Sequence, residues 1–201
     1  MNTLEAIRTR RSVKHYDPAH TLNEAEERTL LEATILAPTS FNVQHWRLVV
    51  LRDPDLRRRL REQYCAQSQI TDASLLVLFT ADIKSWAKEP QRYWHNAPAD
   101  VAANMVKAVG PFHQNRGEAY QRDEAHWSIG MAMQNLMLAA QAMGYQSCPM
   151  IGYDMEGVAG LVNLPDDHVL GPMVAVGKGI KEPWPRPGQL PLDQIARDNT
   201  F

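Results

Sequence analysis

Hydrophobic positions along the chain recur at two different periods, and the switches between them outline a mixture of helices and strands. Leu4, Ile7 and Ala6 fall on a helical spacing behind Asn2 and Thr3, either of which can cap a short first helix. Thr21-Leu22-Asn23-Glu24 reads as a capping box opening a second helix, which Leu30, Leu31, Ala33 and Ile35 or Leu36 carry to a stop at Pro38. Trp46 to Leu51 is apolar and β-branched and predicts a strand. Asp53-Pro54 then opens a helix running to Tyr64, with proline in the first turn where its fixed dihedral is welcome. Leu75 to Ala81 is an unbroken apolar run, as expected of a strand buried on both faces.

Residues Pro90 to Tyr120 read as helical pieces broken at Pro98, Gly110 and Pro111, within an excursion of about residues 84–122. Asp123 to Met143 predicts one long helix, apolar nearly all round and therefore central and buried on both sides, ended by Gly144. Strands at Ser147–Ile151 and Val169–Val176 flank a helix from Asp154, its N-cap, to Val162. Beyond them Pro183, Pro185, Pro187 and Pro191 forbid a compact helix or a central strand. An arm over about 183–201 must run extended, and its Trp184, Leu190, Leu192 and Ile195 call for a docking surface. The expected class is α+β, in a single domain over 1–201.

Composition narrows the field. With 201 residues, 44% of them hydrophobic, the chain can bury a sizeable core. A net charge of −2 argues against a general polyanion binder, so no nucleic-acid partner is expected. Cys65 and Cys148 form no CxxC, and no secretion signal is evident, which fits a reduced cytoplasmic protein. The longest apolar region, Ile129 to Met143, is interrupted by Gln134, Asn135 and Gln141, so no membrane span is expected.

Two clusters carry candidate chemistry. Arg10-Arg11-Ser12-Val13-Lys14 places three cations and a hydroxyl within five residues, and an extended backbone would send Arg10, Ser12 and Lys14 to one side. The alternative is a solvated basic helix end. Pro38-Thr39-Ser40-Phe41-Asn42-Val43-Gln44-His45-Trp46 supplies hydroxyls and amides that could satisfy a heteroaromatic edge or a sugar chain. A third basic run, Arg57-Arg58-Arg59 with Arg52 and Arg61, lies among acidic residues and is expected to be a solvated helix face. The first two clusters, in this order, resemble the signature of the nitroreductase family of FMN-dependent oxidoreductases. Asp72-Ala73-Ser74, Met143-Gly144 through Asp154, and Pro185 to Pro191 fit the same pattern, so the resemblance spans roughly residues 3 to 192.

The resemblance implies a central sheet flanked by helices, in an intertwined homodimer whose C-terminal arm crosses to the partner. It assigns Arg10, Arg11 and Ser12 to the phosphate and ribityl end of a bound FMN, and Lys14 to the N1/O2 side of the ring. Pro38, Thr39, Ser40 and Asn42 would reach the same flavin from the partner chain. Ile151 and Gly152 would pass close to N5 and O4. Gln69 stands where many members carry other polar residues, and Arg186 with Lys178 or Gln189 would complete the phosphate site. The implied activity takes a hydride from NAD(P)H and delivers it to a small nitroaromatic or quinone acceptor in two alternating steps. No side chain is an obligatory acid or nucleophile. A flavin-binding protein of the same fold with another role, such as flavin cleavage or sensing, is the alternative, and a helical interaction module is a more distant one.

Other chemistries find no support. The stretch from Gly171 to Lys178 fails the P-loop spacing, no GxGxxG follows a strand, and no Gly-x-Ser-x-Gly elbow exists. Seven histidines show no HxH or HExxH spacing, and no metal is expected. Trp86, Tyr93, Trp94 and Trp127 are expected to be packing aromatics first, with Trp94 and its neighbours also candidates to line the flavin face.

Overall fold

The computed structural model describes residues 1–201 throughout. Four strands form one sheet: β1 (Trp46–Val50), β2 (Leu75–Asp82), β3 (Gln146–Met150) and β4 (His168–Gly177), in the order β1-β2-β4-β3 with every neighbouring pair antiparallel. Around it lie α1 (Thr3–Thr9), α2 (Glu24–Thr34), α3 (Pro54–Gln63), α4 (Gln69–Asp72), α5 (Ala99–Ala142), α6 (Met155–Leu161) and α7 (Leu192–Ile195).

Strand alternation splits the core in two. Leu75, Val77, Phe79 and Ala81 of β2 face α5 and α2, meeting Ile129, Leu136, Ala140 and Leu30. Leu76 and Leu78 face the other way, onto Leu60, Ile70 and Val158. All of β2 is buried, as the apolar run predicts, here within an antiparallel sheet covered by helices on both sides. Beyond β3 the chain adds one more backbone contact, a parallel bridge between Ser12 and Ser147 in which the Val13 N–H donates to the Ser147 carbonyl at 3.1 Å.

Several elements differ from expectation. The capping box that opens α2 is Asn23 with Glu26, not Thr21 with Glu24: the Asn23 side chain accepts from the Glu26 N–H, and Glu26 returns the bond. Gly110 and Pro111 do not break the excursion; α5 starts after Pro98 and runs through both. Pro111 and the residue four before it, Lys107, are solvent-exposed, so water can serve the carbonyl that loses its N–H partner. The true break is Gly117, whose φ of 77° and ψ of 176° are open only to glycine. The C-terminal half of α5 is also not buried all round. Ala132, Leu136 and Ala140 face the sheet, whereas Trp127 and Met131 are 56% and 38% exposed, because nothing else in this chain covers that side. The arm leaves Trp184, Leu190, Leu192 and Ile195 exposed. No helix is long and apolar enough to cross a membrane.

Candidate functional site

The N-terminal cluster is built by a helix that stops and a strand edge that captures the chain leaving it. Asn2 caps α1 by accepting from the Glu5 N–H, and the helix yields at Arg10 to extended backbone. Val13 and Tyr16 are buried against the core, which turns Ser12 and Lys14 outward. These residues and Arg10 and Arg11 form one wall of a cavity of about 370 Å³, and Trp184, Pro185, Arg186 and Gln189 of the arm form the opposite wall. Arg186 holds the walls together: its Nη2 donates to the Arg10 carbonyl at 2.9 Å and reaches the Ile7 and Arg8 carbonyls at 3.4 Å, answering acceptors that the end of α1 leaves free. Arg11 donates to the Trp184 carbonyl.

The charge of this cavity is predominantly positive, with Glu182 the one carboxylate in its lining. Arg10, Arg11, Lys14 and Arg186 gather there, and none forms an ion pair with a carboxylate. Burial lowers the affinity of the Arg10 guanidinium for its proton, and neighbouring Arg186 and Arg11 push the same way. Arg10 Nη1 is buried with no hydrogen-bond partner. Such a donor is costly unless an anion answers it.

The remaining candidates divide. Gln189 lines the cavity, whereas Lys178 lies outside it, 3.5 Å from Asp17. Gln69 is buried, its amide nitrogen donating to Gln67 Oε1 at 2.7 Å and to Cys148 Sγ at 3.8 Å, so both its donors are engaged inside the protein. Ile151 is 76% exposed directly after β3. A Cβ on Gly152 would meet only the Gln67 amide, at 4.0 Å, so nothing within the chain demands glycine there.

Pro38, Thr39, Ser40 and Asn42 lie elsewhere. They form a tight turn entering β1, at the sheet edge opposite β3. Ser12 sits beyond β3, so four interstrand spacings, roughly 19 Å, separate the two motifs within one chain. Phe41, Asn42 and Gln44 all adopt left-handed backbone, with φ of 48°, 52° and 47°. Each such residue costs about 1–3 kcal/mol and persists only where the surroundings over-determine it. Here Thr39 Oγ1 accepts from the Gln44 N–H at 3.0 Å, Asn42 Nδ2 donates to the Tyr93 carbonyl at 2.8 Å, and the Phe41 ring packs 4.8 Å from Phe112.

Beneath this turn lies a cluster that sequence spacing does not reveal, because its members come from distant segments. Glu124 Oε2 is 2.8 Å from His113 Nε2 and 3.6 Å from His45 Nε2, and all three residues are buried. Burial alone would raise the Glu124 carboxyl, but the hydrogen bond with His113, aided by nearby His45 and Ser40, outweighs it and holds the group at about 2; Glu124 Oε1 and His45 Nε2 have no hydrogen-bond partner. Trp86 and Tyr93 pack beside this cluster, as expected of packing aromatics, with Trp94 partly buried against them; Trp127 does not share their burial. Arg57 also departs from expectation: it is buried in α3, not solvated, and its guanidinium donates to the Ile70 and Ala73 carbonyls. Its spacing of three from buried Leu60 is the signal that places it on the inward face.

Comparison with known proteins places this geometry. The chain is 56% identical over 200 residues to the protein DrgA of Synechocystis, covering 97% of this chain and 95% of that one. It is 30% identical over 194 residues to an NADH dehydrogenase of Thermus thermophilus, covering 93% and 91% of the two chains. A protein of Exiguobacterium sibiricum solved in complex with FMN superposes with a TM-score of 0.90 at 25% identity, over 99% of this chain and 98% of that one. The sequence model of the Nitroreductase family matches residues 7–178, most of the chain, and the chain therefore belongs to the nitroreductase family of flavin oxidoreductases.

Proposed function

We propose that the protein is an FMN-dependent NAD(P)H oxidoreductase, one domain over 1–201, that works as a homodimer and reduces small nitroaromatic or quinone acceptors. The observation that carries the reading is the cavity where Arg10, Arg11, Lys14 and Arg186 converge, none of them ion-paired with Glu182, the one carboxylate of its lining, and where Arg10 Nη1 lacks a partner. A dianionic phosphate suits that donor set, because charge-assisted and forked bonds to phosphate are the strongest use of arginine. FMN, when bound, supplies the hydride chemistry, taking a hydride from NAD(P)H and passing it to the acceptor.

The chain's own residues bind and bias that cofactor. Arg10, Arg11, Ser12 and Arg186, with Gln189 and not Lys178 as the further candidate, hold the phosphate and ribityl end. Lys14 sets a fixed positive charge where reduction builds negative charge, which favours the reduced ring. Ile151 and Gly152 offer backbone at the other edge of the ring, with Gln69 behind it. Pro38, Thr39, Ser40 and Asn42 stand too far from this cavity in the same chain to complete it, and a second copy would bring them there. The exposed Trp127, Met131, Trp184, Leu190 and Leu192 give such a copy apolar surface to cover. Two unpaired cysteines fit a reducing cytoplasmic setting.

The test is complementation. Arg10→Ala and Asn42→Ala subunits, each inactive alone, are unfolded and refolded together. A heterodimer then carries one doubly damaged site and one intact site, and about half of the wild-type activity per heterodimer is expected from symmetry. Bleaching of the flavin colour by NADH or NADPH under nitrogen, followed by reoxidation across an acceptor panel, tests the reaction. Failure to complement would overturn the shared site, and a colourless protein that takes up no FMN would overturn the whole reading.

A further inference from the structure

The hydrogen bonds of the buried His45, His113 and Glu124 cluster fix where its protons lie. His113 Nδ1 is 2.7 Å from the Val109 carbonyl, which can only accept, so that nitrogen is a donor. Ser128 donates its one hydroxyl proton to the Glu124 backbone carbonyl at 2.9 Å, so the 3.1 Å contact from His45 Nδ1 to Ser128 Oγ makes that nitrogen a donor as well. Neutral rings would then turn two bare Nε2 lone pairs toward one carboxylate. The 2.8 Å contact between His113 Nε2 and Glu124 Oε2 is a hydrogen bond and requires a proton between them. A shared metal ion fits less well, since two ligands of one tetrahedral zinc at its usual bond lengths stand about 3.3 Å apart.

This bond joins the two parts of α5 that the Gly117 break divides. His113 precedes the Gly117 break in α5 and Glu124 lies beyond it; Gln121 Nε2 donates to the His113 carbonyl at 2.9 Å across the same break. Trp86, from the start of the excursion, stacks on the His113 ring with centroids 5.3 Å apart. The strained turn leans on the same pair. Phe41 meets the His113 ring edge-on at 6.0 Å, and Ser40 of the same turn is near enough to lower the Glu124 carboxyl, whose Oε1 is buried with no hydrogen-bond partner of its own.

We propose that Glu124, clasped to His113 by a shared proton, is a positioning residue for the Ser40–Asn42 turn and ties the 84–122 excursion to the edge of the flavin site. The inference rests on the assignment of FMN to this protein. It makes the carboxylate the common support of a turn that touches the cofactor and of helices that would line the acceptor pocket. Contacts on the excursion then reach the flavin through Glu124.

The test compares Glu124→Ala with Glu124→Gln in the full chain, by equilibrium dialysis of FMN and by the visible flavin spectrum. Alanine removes both contacts, whereas glutamine can donate an amide N–H to the His113 Nε2 lone pair and offer its carbonyl to Ser40. Expected are an FMN affinity about ten-fold weaker with a shifted flavin band for alanine, and recovery to within about three-fold of wild type for glutamine. Adding Ser40→Ala to Glu124→Ala should weaken FMN no further, because both act through one turn; multiplied effects would overturn the proposal. Wild-type affinity and spectrum in Glu124→Ala, while Arg10→Ala in the same assay loses FMN, would also overturn it. If Arg10→Ala retains FMN too, the flavin-site reading falls and the clasp's role falls with it. Should Glu124→Ala not fold, nitrogen-15 histidine spectra of the wild type take its place: FMN should move the His113 Nε2 resonance, and an unmoved resonance, or a stoichiometric metal ion in the purified protein, would refute the clasp.

Discussion

Arg10–Lys14 and Arg57–Arg61 are similar as sequence, each a dense basic run belonging to a short helix or its end, yet the fold treats their charges in opposite ways. In the second run Arg57 spends its donors on the Ile70 and Ala73 carbonyls, Arg58 pairs with Asp55, and Arg61 reaches Thr71 at 2.6 Å and Asp72 at 3.7 Å. In the first run no carboxylate answers Arg10, Arg11 or Lys14, and the arm adds Arg186 to the same cavity. A cationic run stays available to an anionic ligand where the surroundings withhold counter-charge. Where they supply it, the same residues are structure.

The largest expected effect breaks the structural member. Arg57→Ala leaves two carbonyls without their charged donor and a hole beside Leu60, so unfolding free energy should fall by about 3 kcal/mol and the melting temperature by about 6–12 °C. FMN bound per folded molecule should not change. Calorimetry of the variant beside a flavin titration reads both, and a stable variant that has lost FMN would reverse the two roles. Arg10→Ala should do the opposite. It removes a charge-assisted bond worth about 1.5–3 kcal/mol, ten-fold or more in FMN affinity. The apoprotein should melt no lower than wild type, because a buried, unanswered charge beside Arg186 has gone. Unchanged FMN retention on dialysis would erase the contrast.

That contrast is legible in the sequence only in part. Strand positions follow from alternation and apolar runs, and the caps at Asp154 and Gly144 from local chemistry, because those signals are set by near neighbours. The break at Gly117 does not, since the stronger breakers Gly110 and Pro111 come earlier and solvent tolerates them. Arg57 reads as solvated because acidic neighbours describe the helix surface, while its burial is set by α4, outside that helix. The His45, His113 and Glu124 cluster leaves no spacing to find, as three separate segments build it. Gln69 carries the right chemistry in the right segment, and only the packing against Gln67 and Cys148 shows that its donors point inward.

A smaller effect sharpens the division of labour within the first run. Lys14 is exposed and neither caps nor pairs, so Lys14→Met should leave folding untouched and FMN moderately well held. The midpoint potential should nonetheless drop, by about 20–30 mV if the cation contributes about 1 kcal/mol to the two-electron reduced state. Spectroelectrochemistry measures it, and an unchanged potential would remove Lys14 from the ring's edge.

The smallest effect is expected at Arg58, and it checks that pairing on the second run is graded by burial. Arg58 and Asp55 are partners at i,i+3 on α3, but their side chains are 58% and 74% exposed, so water screens the attraction and holding both long side chains costs entropy. Asp55 would keep its favourable place in the first turn of the helix without Arg58. Arg58→Ala should therefore cost less than about 0.5 kcal/mol, moving the melting temperature by no more than about 2 °C, with FMN binding unchanged. A loss approaching that of Arg57→Ala would mean that proximity to a carboxylate, and not burial against backbone carbonyls, decides which arginines hold this fold together.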